Sequence, residues 1–245
     1  MNTQDFLASS QQWVCLQCGY NMIGEMPDEC PFCGARHDRF MAWGEVEATY
    51  RVTAHPINDV VSQLLSVPKL GLEHAAYRIE TADGVVWIDS PSAFNRDLAP
   101  VRSILFTHHH FLGACNQYRR LWNADVWLHE LDAKHRLVSL FDIDRRFDGD
   151  FRHCGIEAYH VGGHTPGFTF YLYRDVLFIC DYVFLTTGGL QFNPYGPELE
   201  TRKQAQRIYK IVADKALKTV CGYNYVVNFV DWLPAFERLL SVLEA

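Results

Sequence analysis

The chain has 245 residues, enough for one full-sized domain and a small one. Its 49% hydrophobic and 21% charged residues fit a globular protein in water, and a net charge of -7 gives no electrostatic reason to bind nucleic acid. No run approaches the ~18 apolar residues of a membrane span, and Met1-Asn2-Thr3-Gln4-Asp5 lacks the basic-then-apolar order of a secretory signal. Half of the 8 cysteines sit in two close pairs, a metal spacing more than a disulfide framework, which fits the cytoplasm or another reducing compartment.

Those pairs come first in the chain. Cys15-Leu16-Gln17-Cys18-Gly19-Tyr20 and Cys30-Pro31-Phe32-Cys33-Gly34 form C-x2-C-x11-C-x2-C. Each C-x-x-C-G is a tight turn that aims two thiolates at one ion, and its glycine lets backbone N–H groups approach the sulfurs. Two such turns face to face make a tetrahedral four-sulfur site that suits zinc or iron. A segment this short has too little core to fold well without such a staple. With Trp13, Tyr20, Gly24-Glu25, Pro27 and Phe40, the stretch from about Gln12 to Phe40 resembles the short rubredoxin domain of rubrerythrins. The resemblance implies one iron on Cys15, Cys18, Cys30 and Cys33 that carries single electrons, with Trp13, Tyr20, Phe32 and Phe40 packed around it. A structural zinc ribbon shares both knuckles. Gly44 marks the boundary, giving an expected four-cysteine module over 1–43 and a second domain over 44–245. Up to Ala42 there are two Arg against three Asp and two Glu, an acidity that suits a basic redox partner protein.

In the second domain, Glu45–Thr53 alternates around Val46, Ala48, Tyr50 and Val52 and is predicted as a strand, with a short helix over Asn58–Leu65. His74–Glu80 and Val85–Asp89 around Asp83-Gly84 predict a hairpin. Asp89 anchors a loop or orients a ligand histidine from behind. Arg102–Phe106 is a buried strand that delivers Thr107-His108-His109-His110. Alternation points His108 and His110 the same way and His109 the other, a two-histidine metal hook with His109 as spectator. Asn116–Trp122 predicts a helix, Ala124–His129 a strand, Leu131–Ser139 a helix and Asp142–Asp150 a solvated loop or lid. Gly155–Tyr159 leads as a strand into Gly163-His164-Thr165-Pro166-Gly167. Phe168–Tyr173 and Val176–Ile179 form a second hairpin that ends at Cys180-Asp181. Lys218–Cys221 is the last strand, reaching Gly222-Tyr223, and Pro234–Glu244 an amphipathic helix.

Candidate ligands at the ends of successive strands place a metal at one rim of the sheets. Ile88-Asp89-Ser90, Thr107-His108-His109-His110, Gly163-His164-Thr165-Pro166-Gly167 and Leu177-Phe178-Ile179-Cys180-Asp181 resemble the motifs of the metallo-β-lactamase superfamily, over roughly Glu45 to Ala245. The expected fold is therefore α+β: an αβ/βα sandwich preceded by a small rubredoxin-like metal-bound β module. The family's hook is T-H-x-H-x-D-H; here Leu112 stands at the Asp and Gly113 at the last His, and Tyr223 replaces a late His. Three ligands of the second metal are absent. The resemblance leaves His108, His110, His164 and Asp181 to hold one iron or zinc, with Asp181 and Tyr223 as candidate proton-handling groups.

Three functions compete at this point. The first is an oxidoreductase, with the rubredoxin-like iron feeding a mononuclear non-haem iron that meets a small-molecule substrate. Flavodiiron proteins and persulfide dioxygenases, in the same superfamily, imply that the sandwich can hold redox iron. The second is a one-zinc hydrolase of esters, thioesters or lactams. The third is a non-catalytic zinc-ribbon interaction protein on a decayed sandwich. Cys115, Cys154, Cys180 and Cys221 are expected to pack as small apolar groups, with Cys115, Cys180 and Cys221 beside the rim motifs as the alternative of a thiol near the metal; His74 is placed either at the rim or in a structural or solvated role, and His129, His135, His153 and His160 are expected to be ordinary.

Overall fold

The computed structural model describes residues 11–223 and 225–241; Asn224 and the end of the expected Pro234–Glu244 helix lie outside them. A three-stranded antiparallel sheet opens the chain, with Gln12–Cys15 between Asn21–Ile23 and Phe40–Ala42. Two larger sheets follow. The first runs, edge to edge, through Arg145–Phe147, Asp125–His129, Ser103–Leu105, Gly84–Ile88, Ala76–Thr81, Val61–Val67 and Arg51–Pro56. Its first four strands pair in parallel and the rest antiparallel. The second runs through Phe151–His153, Ile156–His160, Thr169–Tyr173, Val176–Cys180, Thr219–Gly222 and Val226–Asn228, antiparallel except for Val176–Cys180 against Thr219–Gly222.

Central strands are apolar on both faces, and alternation sorts their side chains into layers. Tyr77, Ile79, Val86, Ile88 and Leu105 face Tyr171, Tyr173, Val176, Phe178 and Cys221 between the sheets. The intervening Trp87, Ile104, Phe106, Val126 and Leu128 pack outward with Cys115 and Tyr118 of the Cys115–Trp122 helix. On the other side Phe170, Leu172, Leu177, Ile179 and Val220 pack with Ala205, Ile208 and Val212 of the Glu198–Val212 helix and Trp232 and Phe236 of the Phe229–Ser241 helix. The result is the expected αβ/βα sandwich. Two buried hydroxyls tie the sheets together near the rim: Tyr171 donates to the Phe106 carbonyl (2.7 Å) and Tyr77 to the Gly222 carbonyl (2.5 Å). Each fixes the exit of a strand that leads into the site.

Several local expectations are overturned. Trp43–Thr49 is helical and the strand begins only at Arg51; Val46 and Tyr50 are four apart, so the helix also puts both on one core-facing side. Asn58–Leu65 is not a helix but a turn into the Val61–Val67 strand, because that strand pairs with neighbours on both sides. Asn58 holds the turn by accepting the Val60 and Val61 N–H groups. Within Leu131–Ser139 the helix breaks into Glu130–Ala133 and a single turn at Arg136–Val138, since the His129 and His135 rings accept N–H groups from Leu131 and Leu137 and restart the chain twice. Asp142–Asp150 contains an edge strand, Arg145–Phe147, whose entry is pinned by Asp144 accepting from Arg119 and the Val126 N–H. The last helix starts at Phe229, with Pro234 inside it.

The four-cysteine module is packed onto the sandwich. Val14 and Ile23 share a core with Trp87, Phe94 and Leu112. A buried amide chain crosses the junction: Gln117 donates to Gln12 (2.9 Å), Gln12 to Asn21 (2.7 Å), and Asn21 to the Ser92 carbonyl (3.1 Å). At Gly19, with φ +80°, a Cβ would meet Ser92 Oγ at 2.6 Å and Glu73 Cβ at 2.8 Å, so only glycine admits this approach.

Glu73 beneath it is buried and accepts both the N–H and the hydroxyl of Ser66, each at 2.8 Å. Burial, only partly offset by those bonds, pushes its carboxyl up to about 7. The folded state therefore holds a proton the unfolded state releases, and the stability this contributes is complete below about pH 4.5 and lost as pH rises through about 7. Glu73→Gln is expected to flatten the pH dependence of urea unfolding between about pH 6 and about pH 8, gaining on the order of 2 kcal/mol over wild type at the upper end.

Candidate metal centres

Two clusters of metal-binding side chains stand among the described residues, Cys15, Cys18, Cys30 and Cys33 in the module and His108, His110, His164 and Asp181 at the sandwich rim. In each, one ligand atom per residue lies within 4.8 Å of all the others. Both are the sets expected from the sequence.

Four sulfurs at about 2.3 Å from one ion form a tetrahedron with edges of about 3.8 Å. The Cys15–Cys33 and Cys18–Cys30 Sγ separations are 3.7 Å and 3.8 Å, so the thiols are already spaced for an ion. The glycine N–H groups of the knuckles are not the ones on sulfur: Gly19 and Gly34 donate to the Cys15 and Cys30 carbonyls. The Cys15 thiol is pulled well below its ordinary value, first by the Cys18 and Cys30 side chains and then by the Cys18 and Gln17 N–H groups. Tyr20 and Phe40 pack in the same small core, with Trp13 and Phe32 partly buried against it.

At the rim, ligands at about 2.0–2.1 Å from one ion would stand about 3.3–3.4 Å apart. His110 Nδ1 and His164 Nε2 are 3.1 Å apart, His108 Nε2 and Asp181 Oδ1 3.5 Å, and His164 Nε2 and Asp181 Oδ2 3.5 Å. His108 Nε2 and Asp181 Oδ1 are buried with no hydrogen-bond partner among the described residues, an arrangement that costs stability unless an ion takes both. The donor set fits a divalent metal. Burial pushes His108 well below its ordinary value and His110 down to about 3, which leaves both imidazoles neutral. Burial alone would push Asp181 up; His108, His164 and His74 around it hold it well below the carboxylate range. Neutral imidazoles with one carboxylate are the protonation states a metal needs.

A second layer fixes these ligands. Asp89 accepts the Thr107 N–H (2.8 Å) and hydroxyl (3.0 Å), and Thr107 Oγ1 is 2.9 Å from His108 Nδ1. The single hydroxyl proton goes to Asp89, so Thr107 accepts from Nδ1–H and the His108 Nε2 lone pair is left for the ion. Asp89 thus orients His108, a member of the candidate cluster, through Thr107. His109 stands outside the cluster but is no mere spectator: its ring and N–H both contact Asp132, each at 3.1 Å. Asp132 also accepts from Thr165 (2.8 Å) and the Gly167 N–H (2.8 Å), which locks the His108–His110 loop to the His164 loop.

Leu112 and Gly113 offer no ligand. Leu112 is buried in the core outside the seven-stranded sheet. Gly113 has φ +55° and lies under Pro91, where a Cβ would press on the Pro91 carbonyl and meet the Ser90 carbonyl at 2.8 Å. Gly113→Ala is expected to cost on the order of 3 kcal/mol in urea unfolding, from left-handed backbone strain plus displacement of the Ser90-Pro91 loop.

Two further residues stand beside the rim cluster, and only the second escapes a reading of the sequence. His74, for which the sequence left the rim and a structural or solvated role open, is buried with Nε2 3.6 Å from Asp181 Oδ2 and Nδ1 3.6 Å from Cys180 Sγ, its ring centroid 3.6 Å from that of Phe111. Burial pushes it down to about 4. Asn193 donates to Asp181 Oδ2 at 2.9 Å while its own carbonyl accepts the Tyr195 N–H. Tyr223 lines the same space, with its hydroxyl donating to the Leu72 carbonyl (2.6 Å) and its ring edge on His74. Cys115, Cys180 and Cys221 are buried, Cys154 is half-buried, and His129 stacks on His160.

The two clusters open onto one cavity. It has a volume of about 680 Å³, and Cys18, Cys33, His74, His110 and Asp181 all line it. Between the clusters stand two rings: Phe32 is 5.3 Å from the His110 ring and 4.5 Å from the Phe111 ring, measured between centroids.

Residues 13–41 match the family model of the rubrerythrin rubredoxin-like domain. Solved structures place the rest in the metallo-β-lactamase fold. A metallo-β-lactamase from Pontibacter korlensis is 19% identical, with a TM-score of 0.62 over 79% of this chain and 99% of that one. One from Hirschia baltica is 14% identical, with a TM-score of 0.60 over 77% and 97%. The protein TTHA1623, solved in a di-iron-bound form, is 21% identical, with a TM-score of 0.54 over 69% and 94%. No curated protein matches the chain by sequence. The molecule is a metalloprotein with a rubredoxin-like domain docked on a metallo-β-lactamase sandwich. No helix among the described residues is long and apolar enough to cross a membrane.

Proposed function

We propose that the protein is an oxidoreductase in which a rubredoxin-like iron centre exchanges electrons with a mononuclear iron centre at His108, His110, His164 and Asp181, acting on a small molecule. The observation that carries this reading is the shared cavity, lined by Cys18 and Cys33 of one cluster and by His110 and Asp181 of the other, with Phe32 and Phe111 between them. Cys15, Cys18, Cys30 and Cys33 would hold an iron that supplies single electrons, and His108, His110, His164 and Asp181 would hold one that supplies redox chemistry to a small molecule. The chain's own part is positional. Thr107 and Asp89 set the His108 ring, Asp132 holds the two histidine loops together, and Asn193 orients Asp181. Phe111 packs against His74, Phe32 and Tyr20, so that aromatic rings occupy part of the space between the two clusters. The loss of second-metal ligands supports one ion at the rim, since Leu112 is committed to the core and Gly113 to its turn. TTHA1623 is a neighbour of the same fold solved with iron bound. An acidic module surface suits a basic protein as the external electron donor.

Metal analysis and visible absorption on protein purified without added metal test this. The expected result is iron at both centres and a thiolate-to-iron band that dithionite bleaches. A colourless protein that carries zinc at both centres and hydrolyses esters would overturn it.

A further inference from the structure

His74 stands beside the rim cluster without belonging to it. Its side chain lines the shared cavity, yet it is not among the four residues whose ligand atoms lie within 4.8 Å of one another. We propose that His74 is the anion-binding side chain of the cavity, donating from Nε2 to a small anion held at the rim metal, and that Tyr223 keeps it in place. A metal at the rim, as proposed above, is required for this; its redox chemistry is not. A divalent ion among three neutral imidazoles and one carboxylate keeps net positive charge, which favours an anion beside it. Moving that anion out of water costs less where a buried donor takes one of its lone pairs. The other side-chain donors on the cavity wall are engaged or turned to water: Tyr223 gives its hydroxyl proton to the Leu72 carbonyl, and Gln17 and Tyr195 are exposed.

The surroundings of the His74 ring assign its proton. Nε2 faces Asp181 Oδ2, a carboxylate oxygen that only accepts, while Nδ1 faces the Cys180 thiol. Nε2 therefore carries a hydrogen, whether the ring holds one proton or two. At 3.6 Å the Nε2–Oδ2 separation is too long for a hydrogen bond, and Oδ2 already accepts from Asn193 at 2.9 Å. The His74 N–H is thus a buried donor left unspent, on the same wall as Asp181. The ring is held where it stands. Phe111 lies 3.6 Å from it and Tyr223 4.8 Å, between centroids, the latter edge-on. Tyr223 also clamps the backbone on both sides of His74: its hydroxyl donates to the Leu72 carbonyl (2.6 Å) and its carbonyl accepts the Ala75 N–H (3.0 Å). The tyrosine that replaces a late ligand histidine acts here as a positioning residue, for an imidazole that comes from elsewhere in the chain.

Titration of the metal-bound full chain with azide, a small anion with acceptor atoms at both ends, followed by the infrared stretch of the bound azide, tests this. Wild type is expected to bind azide at least about tenfold tighter than His74→Leu, which keeps the bulk and removes the donor, with two metal ions per chain in both proteins. His74→Gln, whose amide restores an N–H, is expected to return the affinity to within about threefold of wild type. The azide stretch is expected to shift in His74→Leu and to return in His74→Gln, a signature that a change in packing alone does not give. Tyr223→Phe, which loses only the bond to Leu72, is expected to weaken azide binding by about threefold and to keep both ions. Equal affinity and an unshifted stretch in His74→Leu, or no azide binding to wild type, would overturn the assignment. Loss of the rim ion in His74→Leu would overturn it as well, by making His74 a metal ligand. If His74→Leu does not fold, Tyr223→Phe decides, and azide binding unchanged in it overturns the assignment. Azide binding needs no electron transfer: a zinc-bearing protein with the expected azide affinities would sink the redox reading alone, and a redox-active one with equal affinities would sink the His74 assignment alone.

Discussion

Asp181→Ala is expected to remove the rim metal while leaving the thiolate-bound one, so that metal content falls from two ions per chain toward one. Asp181 is the only anionic member of its cluster, and both of its oxygens take part: Oδ1 faces His108 Nε2 at 3.5 Å and Oδ2 faces His164 Nε2 at 3.5 Å. Without it a divalent ion sits among three neutral imidazoles in a buried site, and nothing offsets its charge. The loss is expected to be about 3 orders of magnitude in affinity, or roughly 4 kcal/mol. Competition against a chromophoric chelator measures it. The variant is also expected to stay folded, because in the metal-free protein Asp181 Oδ1 is a buried acceptor with no partner among the described residues, a cost that the substitution removes. Retention of both ions would mean that the rim ligands lie elsewhere.

Stripping the thiolate-bound ion has the other large effect. The three strands Gln12–Cys15, Asn21–Ile23 and Phe40–Ala42 are short, and the module's own core is little more than the cysteines, Tyr20, Ala35 and Phe40. A structural metal of this type contributes on the order of 10 kcal/mol to such a fold. Chelation is therefore expected to expose the amides of Gln12–Cys15 and Phe40–Ala42 to hydrogen exchange, while Thr169–Tyr173 and Val176–Cys180 keep their protection. The rim side of the junction is expected to loosen with it, because Val14 and Ile23 withdraw from the core shared with Leu112. Unchanged protection in the module would show that docking alone holds it.

Local spacing makes both ligand sets legible in advance. Two C-x-x-C-G turns converge on one ion, and an H-x-H on an extended exit strand points two imidazoles one way. Strands buried on both faces are equally readable, since Val85–Ile88 and Val176–Ile179 are apolar without a break. What stays hidden depends on long-range assembly. His74 has no partner near it in sequence; the antiparallel Ala76–Thr81 strand places it opposite Asp181, more than a hundred residues on. Asn193 follows a hairpin, Val183–Thr186 with Gly189–Phe192, that sequence reasoning does not assign. The Glu198–Val212 helix also escapes it although Thr201, Ala205, Ile208 and Val212 carry helical spacing, because the charged residues between them obscure the stripe. Asn58–Leu65 misleads for the opposite reason. Val61 and Leu64 sit at helical spacing, and pairing with two flanking strands overrides it.

The central claim is that the two centres work together through the cavity they share. Stopped-flow reoxidation of the dithionite-reduced protein by dioxygen, followed by return of the thiolate-to-iron absorption in wild type and in His164→Ala, tests it most directly. The variant keeps all four cysteines and loses a rim ligand. If electrons leave the thiolate centre through the rim metal, wild type reoxidises at least about tenfold faster than the variant, a difference of about 1.4 kcal/mol in barrier. Equal rates in the two proteins would contradict the account.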